Sequence, residues 1–195
     1  MLFCNIKFLY LNYKFHVKIK TMNITGGKYN RQKIEAPDEN ITRPTLSKVR
    51  MAVFNTLNSI MDFEGKSFLD MYAGSGIMGL EAVSRGFASV TAIEKNKKAY
   101  DVIKSNFSRY RKENNIKLIF GDSLKICERI SEKYDVTYID PPYLSEIYEK
   151  SLDVIKNKSD IIILEHITNV DFTGFEIIKQ KQYGEKFVTF LKNKP

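Results

Sequence analysis

The tetrapeptide Asp140-Pro141-Pro142-Tyr143 has the residue types of a site that grips an amino group. Two consecutive prolines fix φ and remove backbone donors, so this segment presents acceptors in a rigid, extended form. The Asp140 carboxylate and the Pro141 carbonyl are suited to accept the two N–H groups of an amine. Tyr143 adds a flat face on which a nucleic-acid base can stack, which is worth roughly 1–3 kcal/mol. We therefore predict a catalytic site made of Asp140, Pro141 and Tyr143.

The chemistry that fits this site is methylation of an exocyclic base amine. The lone pair of such an amine is delocalised into the ring, which makes the nitrogen a poor nucleophile. Two fixed acceptors draw that lone pair toward an electrophile, so the site acts by positioning and charge placement for an in-line methyl transfer. A simple turn is the alternative, because Asp-Pro commonly starts turns.

A second candidate site is the glycine-rich segment that runs from Asp70 to Gly79. Glycines at 74 and 76 let the backbone turn tightly and approach a ligand, and the helix that follows points free N–H groups at the same place. The segment also satisfies the dinucleotide pattern G-x-G-x-x-G, and Glu94 lies 18 residues beyond Gly76. An NAD(P) site therefore fits these glycines almost as well, and a tight turn without a ligand is a third possibility.

Acidic residues at the ends of predicted strands favour a sulfonium cofactor over a dinucleotide. Glu94 can accept both ribose hydroxyls, and Asp122-Ser123 is placed to receive the amino group of an adenine. The negative charge of Asp70 suits an ammonium and would repel a pyrophosphate. An NAD(P)-dependent oxidoreductase would also leave Asp140 and its prolines without a task. We predict that S-adenosylmethionine is bound by Asp70, Tyr72, Gly74, Gly76, Glu94, Asp122 and Ser123.

The elements that position these residues alternate between strand and helix. After a helix that begins with Thr45 as N-cap and carries apolar residues from Val49 to Met61, the patterning predicts strands at 67–71, 89–93, 117–120, 135–139 and 161–164. The predicted helices lie at 77–85, 96–113, 123–132 and 146–157, and a final hairpin joins strands at 174–181 and 186–192. This pattern predicts an α/β fold: a single Rossmann-like class I methyltransferase domain with a mostly parallel seven-stranded sheet and a C-terminal antiparallel hairpin. Ligands of such sheets bind at the carboxyl ends of the strands, near the switch point in strand order.

Length and charge agree with one domain and a polyanionic partner. A chain of 195 residues fits a single core, and we divide it into an atypical extension at 1–21 (consistent with a mis-assigned start at Met1 in place of Met22), a basic segment and helix at 22–61, and the methyltransferase domain at 62–195. Residues 1–50 hold ten Lys/Arg and three Asp/Glu, whereas residues 51–195 hold twenty-one and twenty. A basic arm on a near-neutral body favours nucleic acid, although a solvated lysine-rich surface explains the charge equally well.

Other classes of site and location are disfavoured. Two cysteines and two histidines match no familiar zinc spacing, so we expect no metal. No apolar run approaches the roughly 18 residues of a membrane helix, and no secretory cleavage site is recognisable. We expect a cytoplasmic monomer.

Several motifs occur in the order found in bacterial 16S ribosomal RNA guanine-N2 methyltransferases of the small-subunit methyltransferase D type, and the chain resembles that family from Met22 to near its end. They are Ile24-Thr25-Gly26-Gly27-Lys28, Arg43-Pro44-Thr45 with Val49-Arg50, the glycine loop, the tetrapeptide at 140–143, and Glu165-His166. After Gly26-Gly27 the family usually has a Gly-Arg pair, and this chain departs from it with Asn30-Arg31-Gln32-Lys33.

The resemblance implies a guanine 2-amino group in 16S ribosomal RNA as the methyl acceptor, in a small ribosomal subunit or its assembly intermediate. It also implies that RNA-backbone contacts are made by Lys28, Arg31, Lys33, Arg43 and Arg50. The tetrapeptide alone is shared with DNA adenine methyltransferases, so such an enzyme is the alternative of the same chemistry. His166 is predicted to be structural, because no spacing ties it to Asp140.

Overall fold

The computed structural model describes residues 21–37, 46–142 and 146–195. Its helices are α1 (Ser47–Asn58), α2 (Ile77–Ser84), α3 (Lys97–Ser108), α4 (Ser123–Arg129) and α5 (Glu146–Ile155), the last followed by a 3-10 turn (Lys156–Lys158). Its strands are β1 (Thr21–Asn23), β2 (Lys33–Glu35), β3 (Ser67–Asp70), β4 (Ser89–Glu94), β5 (Asn115–Phe120), β6 (Tyr134–Ile139), β7 (Ser159–His166), β8 (Phe175–Tyr183) and β9 (Lys186–Asn193). None of the helices in these ranges is long and apolar enough to cross a membrane.

Seven strands form one sheet in the order β5-β4-β3-β6-β7-β9-β8. The first five strands in this order pair in parallel, and β9 is antiparallel to both β7 and β8. This confirms the predicted α/β fold, its mostly parallel sheet and its closing hairpin. The strand order reverses between β3 and β6, so a crevice for a ligand is expected where these two strands end.

Alternation along the strands divides the core between the two faces of the sheet. In β7, Ile161 and Ile163 belong to one buried cluster, whereas Ile162 and Leu164 belong to the other. Successive side chains of a strand point to opposite faces, and a strand covered on both faces therefore reads as a continuous apolar run. The cluster of Ile161 and Ile163 also contains Ile24 and Ile34, so the N-terminal segment packs into the main core.

The helix boundaries differ from the prediction at α1 and α3, and α4 ends at Arg129 and not at 132. Leu46 occupies the N-cap position of α1 without a side-chain cap, so the assignment of that position to Thr45, which lies outside the described residues, is wrong. The helix ends at Asn58, and the backbone N–H groups of Ile60 and Met61 turn back to the Leu57 carbonyl. Helix α3 likewise ends before 113, because hydrogen-bonded turns follow Ser108. Met61 after α1 still packs against the main core cluster and Tyr110 after α3 still belongs to it, although both lie beyond the end of the helix.

The N-terminal segment docks on the end of α2 that is remote from the glycine loop. Gly27 has φ of 76°, and a Cβ placed on it would lie 1.8 Å from the carbonyl oxygen of Ser84. The neighbouring N–H of Lys28 donates to that same carbonyl at 2.7 Å, and the Ser84 hydroxyl donates to the Gly26 carbonyl at 2.5 Å. The close approach therefore requires glycine at 27, and the Gly26-Gly27 pair serves to attach the N-terminal segment to α2.

Candidate active site

A cavity of about 360 Å³ lies at the carboxyl ends of β3, β4 and β6, beside the switch point. This volume falls within the range of about 300–1,000 Å³ that is usual for small-molecule sites. The structure brings both predicted sites to this one place. The lining includes the predicted cofactor residues Asp70, Tyr72, Gly74, Glu94 and Ser123 and the predicted catalytic residues Asp140 and Pro141.

The glycine loop is held by the end of the neighbouring strand. The backbone N–H of Gly74 donates to Oε2 of Glu94 at 2.8 Å, and the N–H of Asn96 donates to Oε1 at 2.6 Å. Glu94 is 8% exposed, and each of its oxygens keeps acceptor capacity for a further donor in the cavity. Glu94 is thus an oriented acceptor of the kind that a ribose would need.

Gly76 supports the loop in a different way. It has φ of 75°, and a Cβ placed on it would come within 2.9 Å of Ile103 and Phe107. Gly76 does not belong to the cavity lining. Its observed task is to let α3 pack closely against the loop, and its cofactor contact stays a prediction.

Asp70 is a buried carboxyl group at the end of β3. It is 1% exposed, it lines the cavity, and its Oδ2 atom has no hydrogen-bond partner among the described residues. Burial raises the pKa of Asp70 to about 8, and a backbone hydrogen bond from Gly79 offsets only part of this rise. The negative charge predicted for Asp70 therefore needs a correction: at neutral pH the carboxyl is ionised chiefly when a cation lies beside it.

Of the remaining predicted cofactor residues, Tyr72 and Ser123 line the cavity and Asp122 does not. The Tyr72 hydroxyl is within 2.7 Å of the Ser151 hydroxyl, and burial raises its pKa to about 12. The Ser123 hydroxyl is buried and donates to the Met71 carbonyl at 2.5 Å. Asp122 is exposed, does not line the cavity, and caps α4 by accepting from the Lys125 N–H at 3.2 Å. An adenine contact at Asp122 stays a prediction.

Asp140 lies at the far wall of the same cavity, directly after β6. Its side chain is 16% exposed, and Pro141 and Pro142 line the cavity beside it. Tyr143, the predicted stacking residue, lies outside the described residues.

Lys186, which the sequence reasoning missed, also lines this wall. Its Nζ is 3.4 Å from both Oδ atoms of Asp140 and 2.5 Å from Oε2 of Glu165. The second oxygen of Glu165 accepts a short hydrogen bond from the Tyr138 hydroxyl. The sequence did contain a signal. Lys186 alternates with the apolar residues Val188 and Phe190, so this lysine shares a strand face with side chains that are buried.

The charged residues of the site form a row across one face of the sheet. Strand alternation places each of them on the same face as a member of the main core cluster two residues away. In strand order from β4 to β9, the row consists of Glu94, Asp70, Asp140, Glu165 and Lys186. Four carboxyl groups and one ammonium give this wall an excess of negative charge, which suits a cationic ligand.

His166 has a structural environment. Its Nδ1 is 2.7 Å from the Thr168 carbonyl, its Nε2 is 2.9 Å from the Thr189 hydroxyl, and its ring stacks on Phe187. Both ring nitrogens are engaged by these neighbours. Within the described ranges, no group of three or more His, Cys, Asp or Glu side chains could hold a metal ion.

Arg50 does not serve as the RNA contact that was predicted for it, and that prediction is wrong. The side chain is 3% exposed, its Nε donates to Oε1 of Glu81 at 3.1 Å, and an Nη donates to the Asn23 carbonyl at 2.8 Å. Glu81 is fully buried and also accepts from Thr25 and Arg85. Arg50 thus belongs to a buried ion cluster that fastens α1 and the N-terminal segment to α2.

The other predicted RNA contacts are exposed side chains or lie outside the described residues. Lys28 pairs with Glu113 at 2.7 Å beside the C-terminal end of α2, and that helix of eight residues is about 12 Å long. The hydrogen bond to Glu113 raises the pKa of Lys28. Arg31 and Lys33 are exposed, and Arg43 lies outside the described residues. Their RNA contacts stay predictions.

The sequence is similar to that of known methyltransferases. The family model described as conserved hypothetical protein 95 matches residues 22–192. Ribosomal RNA small subunit methyltransferase D from Buchnera aphidicola subsp. Acyrthosiphon pisum (strain APS) is 30% identical over 149 residues, which are 76% of this chain and 76% of that protein. Ribosomal RNA small subunit methyltransferase D from Escherichia coli (strain K12) is 27% identical over 136 residues, 70% of this chain and 67% of that protein.

Solved structures share the fold. The Escherichia coli protein yhhF matches with a TM-score of 0.79 and 23% identity, over 90% of this chain and 99% of that chain. SMU.776, solved in complex with SAH, matches with a TM-score of 0.59 and 16% identity, over 74% of this chain and 48% of that chain.

Proposed function

The chain belongs to the family of the ribosomal RNA small subunit methyltransferase D proteins, and we propose that it transfers a methyl group from S-adenosylmethionine to the 2-amino group of a guanine in 16S ribosomal RNA. The observation that carries this proposal is that one cavity joins the glycine loop, with Glu94 and Asp70, to Asp140 and its prolines. The proposed sites for the methyl donor and for the methyl acceptor thus lie in the same cavity.

The cofactor is supported by the fit of the residues present. Glu94 offers oriented carboxylate oxygens for ribose hydroxyls, and the buried Oδ2 of Asp70 lacks a partner that an ammonium would supply. A pyrophosphate beside the Glu94 carboxylate would be repelled, and it would offer Asp70 no positive charge to stabilise the ionised carboxyl, which disfavours NAD(P). S-adenosylmethionine, when bound, supplies a methyl group activated by the positive sulfur. The solved complex of SMU.776 with SAH, on the same fold, agrees with this choice.

The residues of the chain then act on the acceptor. We propose that Asp140 and the Pro141 carbonyl each accept one N–H of the amine, which orients the nitrogen lone pair toward the methyl group. Asp140 also compensates the positive charge that grows on the nitrogen as the bond forms, and it is the nearest base for the proton that the methylated amine must lose. Tyr143 is proposed to stack on the base. A guanine in a paired or stacked region has to leave its stack to enter the cavity.

Ribosomal RNA and guanine are the finer parts of the proposal, and the names of the relatives support the first of them. The predicted guanine acceptor rests on the motif resemblance. The substrate particle is proposed to be a small ribosomal subunit or its assembly intermediate. A DNA adenine methyltransferase is the alternative that the tetrapeptide at 140–143 permits.

A methyl-incorporation assay tests the proposal. Labelled S-adenosylmethionine is offered with small ribosomal subunits from cells that lack the protein, and in parallel with duplex DNA. We expect label in the 16S RNA, at the N2 atom of one guanine when the RNA is digested and mapped. Label that appears only in DNA, or on another base, would overturn the proposal.

The same assay with Asp140→Ala tests the role of the carboxylate. We expect this variant to bind SAH as the wild type does and to lose most methyl transfer. Asp153→Ala, which removes an exposed aspartate of α5, is the matched control and should keep its activity. Undiminished transfer by Asp140→Ala would contradict the proposed mechanism.

A further inference from the structure

Lys186 is a charged side chain built into the wall of the active-site cavity. It is the first residue of β9, its side chain is 15% exposed, and it lies between Asp140 and Glu165. The mechanism described above gives it no task. Removing an ammonium from water is unfavourable unless partners compensate for the lost hydration, so the partners of Lys186 indicate its task.

Glu165 anchors the lysine. Its side chain is fully buried, one oxygen accepts from Lys186 at 2.5 Å, and the other accepts from the Tyr138 hydroxyl. With both oxygens engaged, Glu165 has a defined orientation, and the ammonium is fixed from the interior of the protein. The Lys186 ammonium then presents the same charge to both oxygens of Asp140 at 3.4 Å.

We propose that Lys186 is a positioning residue for Asp140: anchored on Glu165, it fixes the carboxylate in the orientation that accepts the base amine. This inference rests on the proposed function of Asp140. The ammonium also places a positive charge directly beside Asp140, in a row of side chains whose other members are carboxyl groups. A fixed acceptor holds the amine in line with the methyl group, and displacement by about 1 Å can cost 100-fold in rate.

Three variants of the full-length protein separate this role from a general structural one. Lys186→Met keeps the length of the side chain and removes the charge, Lys186→Arg keeps the charge, and Glu165→Gln weakens the anchor. The matched control is Lys192→Met, because Lys192 lies on the same strand in the same alternation but is exposed. Thermal unfolding and SAH calorimetry verify that each variant folds and binds.

The expected result is a loss of rate without a loss of cofactor affinity. The single-turnover rate of Lys186→Met should fall about 10- to 100-fold, with SAH affinity within about threefold of the wild type, and Glu165→Gln should fall less. Lys186→Arg should recover most of the rate, and Lys192→Met should retain it. A Lys186→Met rate within about twofold of the wild type would overturn the proposal, as would equal losses in Lys186→Met and Lys186→Arg.

A crystal structure of Lys186→Met beside the wild type gives a readout that does not depend on activity. We expect the Asp140 side chain to change its rotamer or lose its defined position in the variant, while the glycine loop stays in place. An unchanged Asp140 would overturn the positioning role. If the wild-type protein itself methylates no RNA, the proposed function fails, but this structural comparison still decides whether Lys186 positions Asp140.

Discussion

The backbone N–H of Gly74 donates a hydrogen bond of 2.8 Å to Oε2 of Glu94, so that the turn after one strand is tied to the end of the next. Because Asn96 donates to the other oxygen at 2.6 Å, a single buried carboxylate organises the two loops that flank the cavity. The predicted cofactor site is therefore preorganised by hydrogen bonds within the protein.

Glu94→Gln should weaken SAH binding by roughly 5- to 100-fold. An amide nitrogen in place of one oxygen cannot accept from a ribose hydroxyl, and leaving that buried donor unsatisfied in the complex costs about 1–3 kcal/mol. Isothermal titration calorimetry with SAH measures the change. Glu176→Gln, at an exposed position of β8, is the control, and equal affinity of the two variants would contradict the role given to Glu94.

The affinity for SAH should rise with pH between about 5 and 7 in the wild type. Burial raises the pKa of Asp70 to about 8, so the free protein carries the proton in this window and must release it before the carboxylate can pair with an ammonium. Release of one proton makes the affinity rise by up to about tenfold per pH unit, and an α-ammonium with a pKa of about 7.7–8.0 stays charged in this range. Calorimetry at several pH values measures the slope.

Asp70→Asn provides the comparison for this pH dependence. The amide cannot titrate, so the slope of affinity against pH should be shallower by about one proton. Proton release can be measured independently at pH 6.5 in buffers of different ionisation enthalpy. If the variant and the wild type release equal numbers of protons, Asp70 is not the group that ionises on binding.

Gly27→Ala should destabilise the protein more than Gly65→Ala. The two glycines have nearly equal φ, 76° and 73°, so both substitutions carry the same backbone strain of about 1–2 kcal/mol. Only at Gly27 does the new methyl group collide with Ser84, and nothing lies within 4 Å at Gly65. The hydrogen bonds of Lys28 and Tyr29 to Ser84 should then be lost, at about 1 kcal/mol each.

Urea unfolding measures the difference between these two glycine variants. We expect Gly27→Ala to be the less stable by roughly 2 kcal/mol or more, on the basis of two lost hydrogen bonds. Equal stabilities would mean that the N-terminal segment is not held by its approach to α2.

Arg50→Met should lower the free energy of unfolding by about 3 kcal/mol and leave the salt dependence of RNA binding unchanged. Removing one partner of a buried ion pair costs about 3–5 kcal/mol, because the other charge stays buried without its partner. Glu81 keeps its ion pair with Arg85, so we expect a loss at the lower end of this range. Urea unfolding and RNA titrations at several salt concentrations test the two parts. Lys48→Met, at an exposed position of the same helix, should keep its stability.

A variant of Arg50 that folds with wild-type stability but binds RNA with a reduced salt slope would restore the rejected assignment. A phosphate contact contributes close to one unit of that slope, so the two roles differ in a measurable way.

The positions that end strands were predictable because they depend on local pattern. Asp70, Glu94 and Asp140 each follow an apolar run that is short enough for a strand, and parallel strands bring their carboxyl ends to one edge. The glycine loop and the segment 140–142 therefore meet in one cavity, as their places in the chain indicated.

The partners of these residues were not predictable, because they depend on pairing between distant segments. Arg50 has the composition of a phosphate contact, and only the packing of α1 on α2 places it against buried Glu81. Lys186 is close to Asp140 only because β9 inserts between β7 and β8. A sequence pattern predicts which face of a helix or strand a residue occupies, but it does not predict which residues of distant segments contact that face.

The turn between β8 and β9 has a consequence for the chemistry of the cavity. Tyr183 pairs with Lys186 across a two-residue connection, in which Gly184 has φ of 64°. Because side chains alternate along a strand, loss of one turn residue with the two-residue turn kept would shift the register of β9 by one residue, turn Lys186 outward and point Phe187 toward Asp140. A turn that does not line the cavity thus decides, through the register it sets, whether Asp140 faces a cation or a hydrocarbon ring.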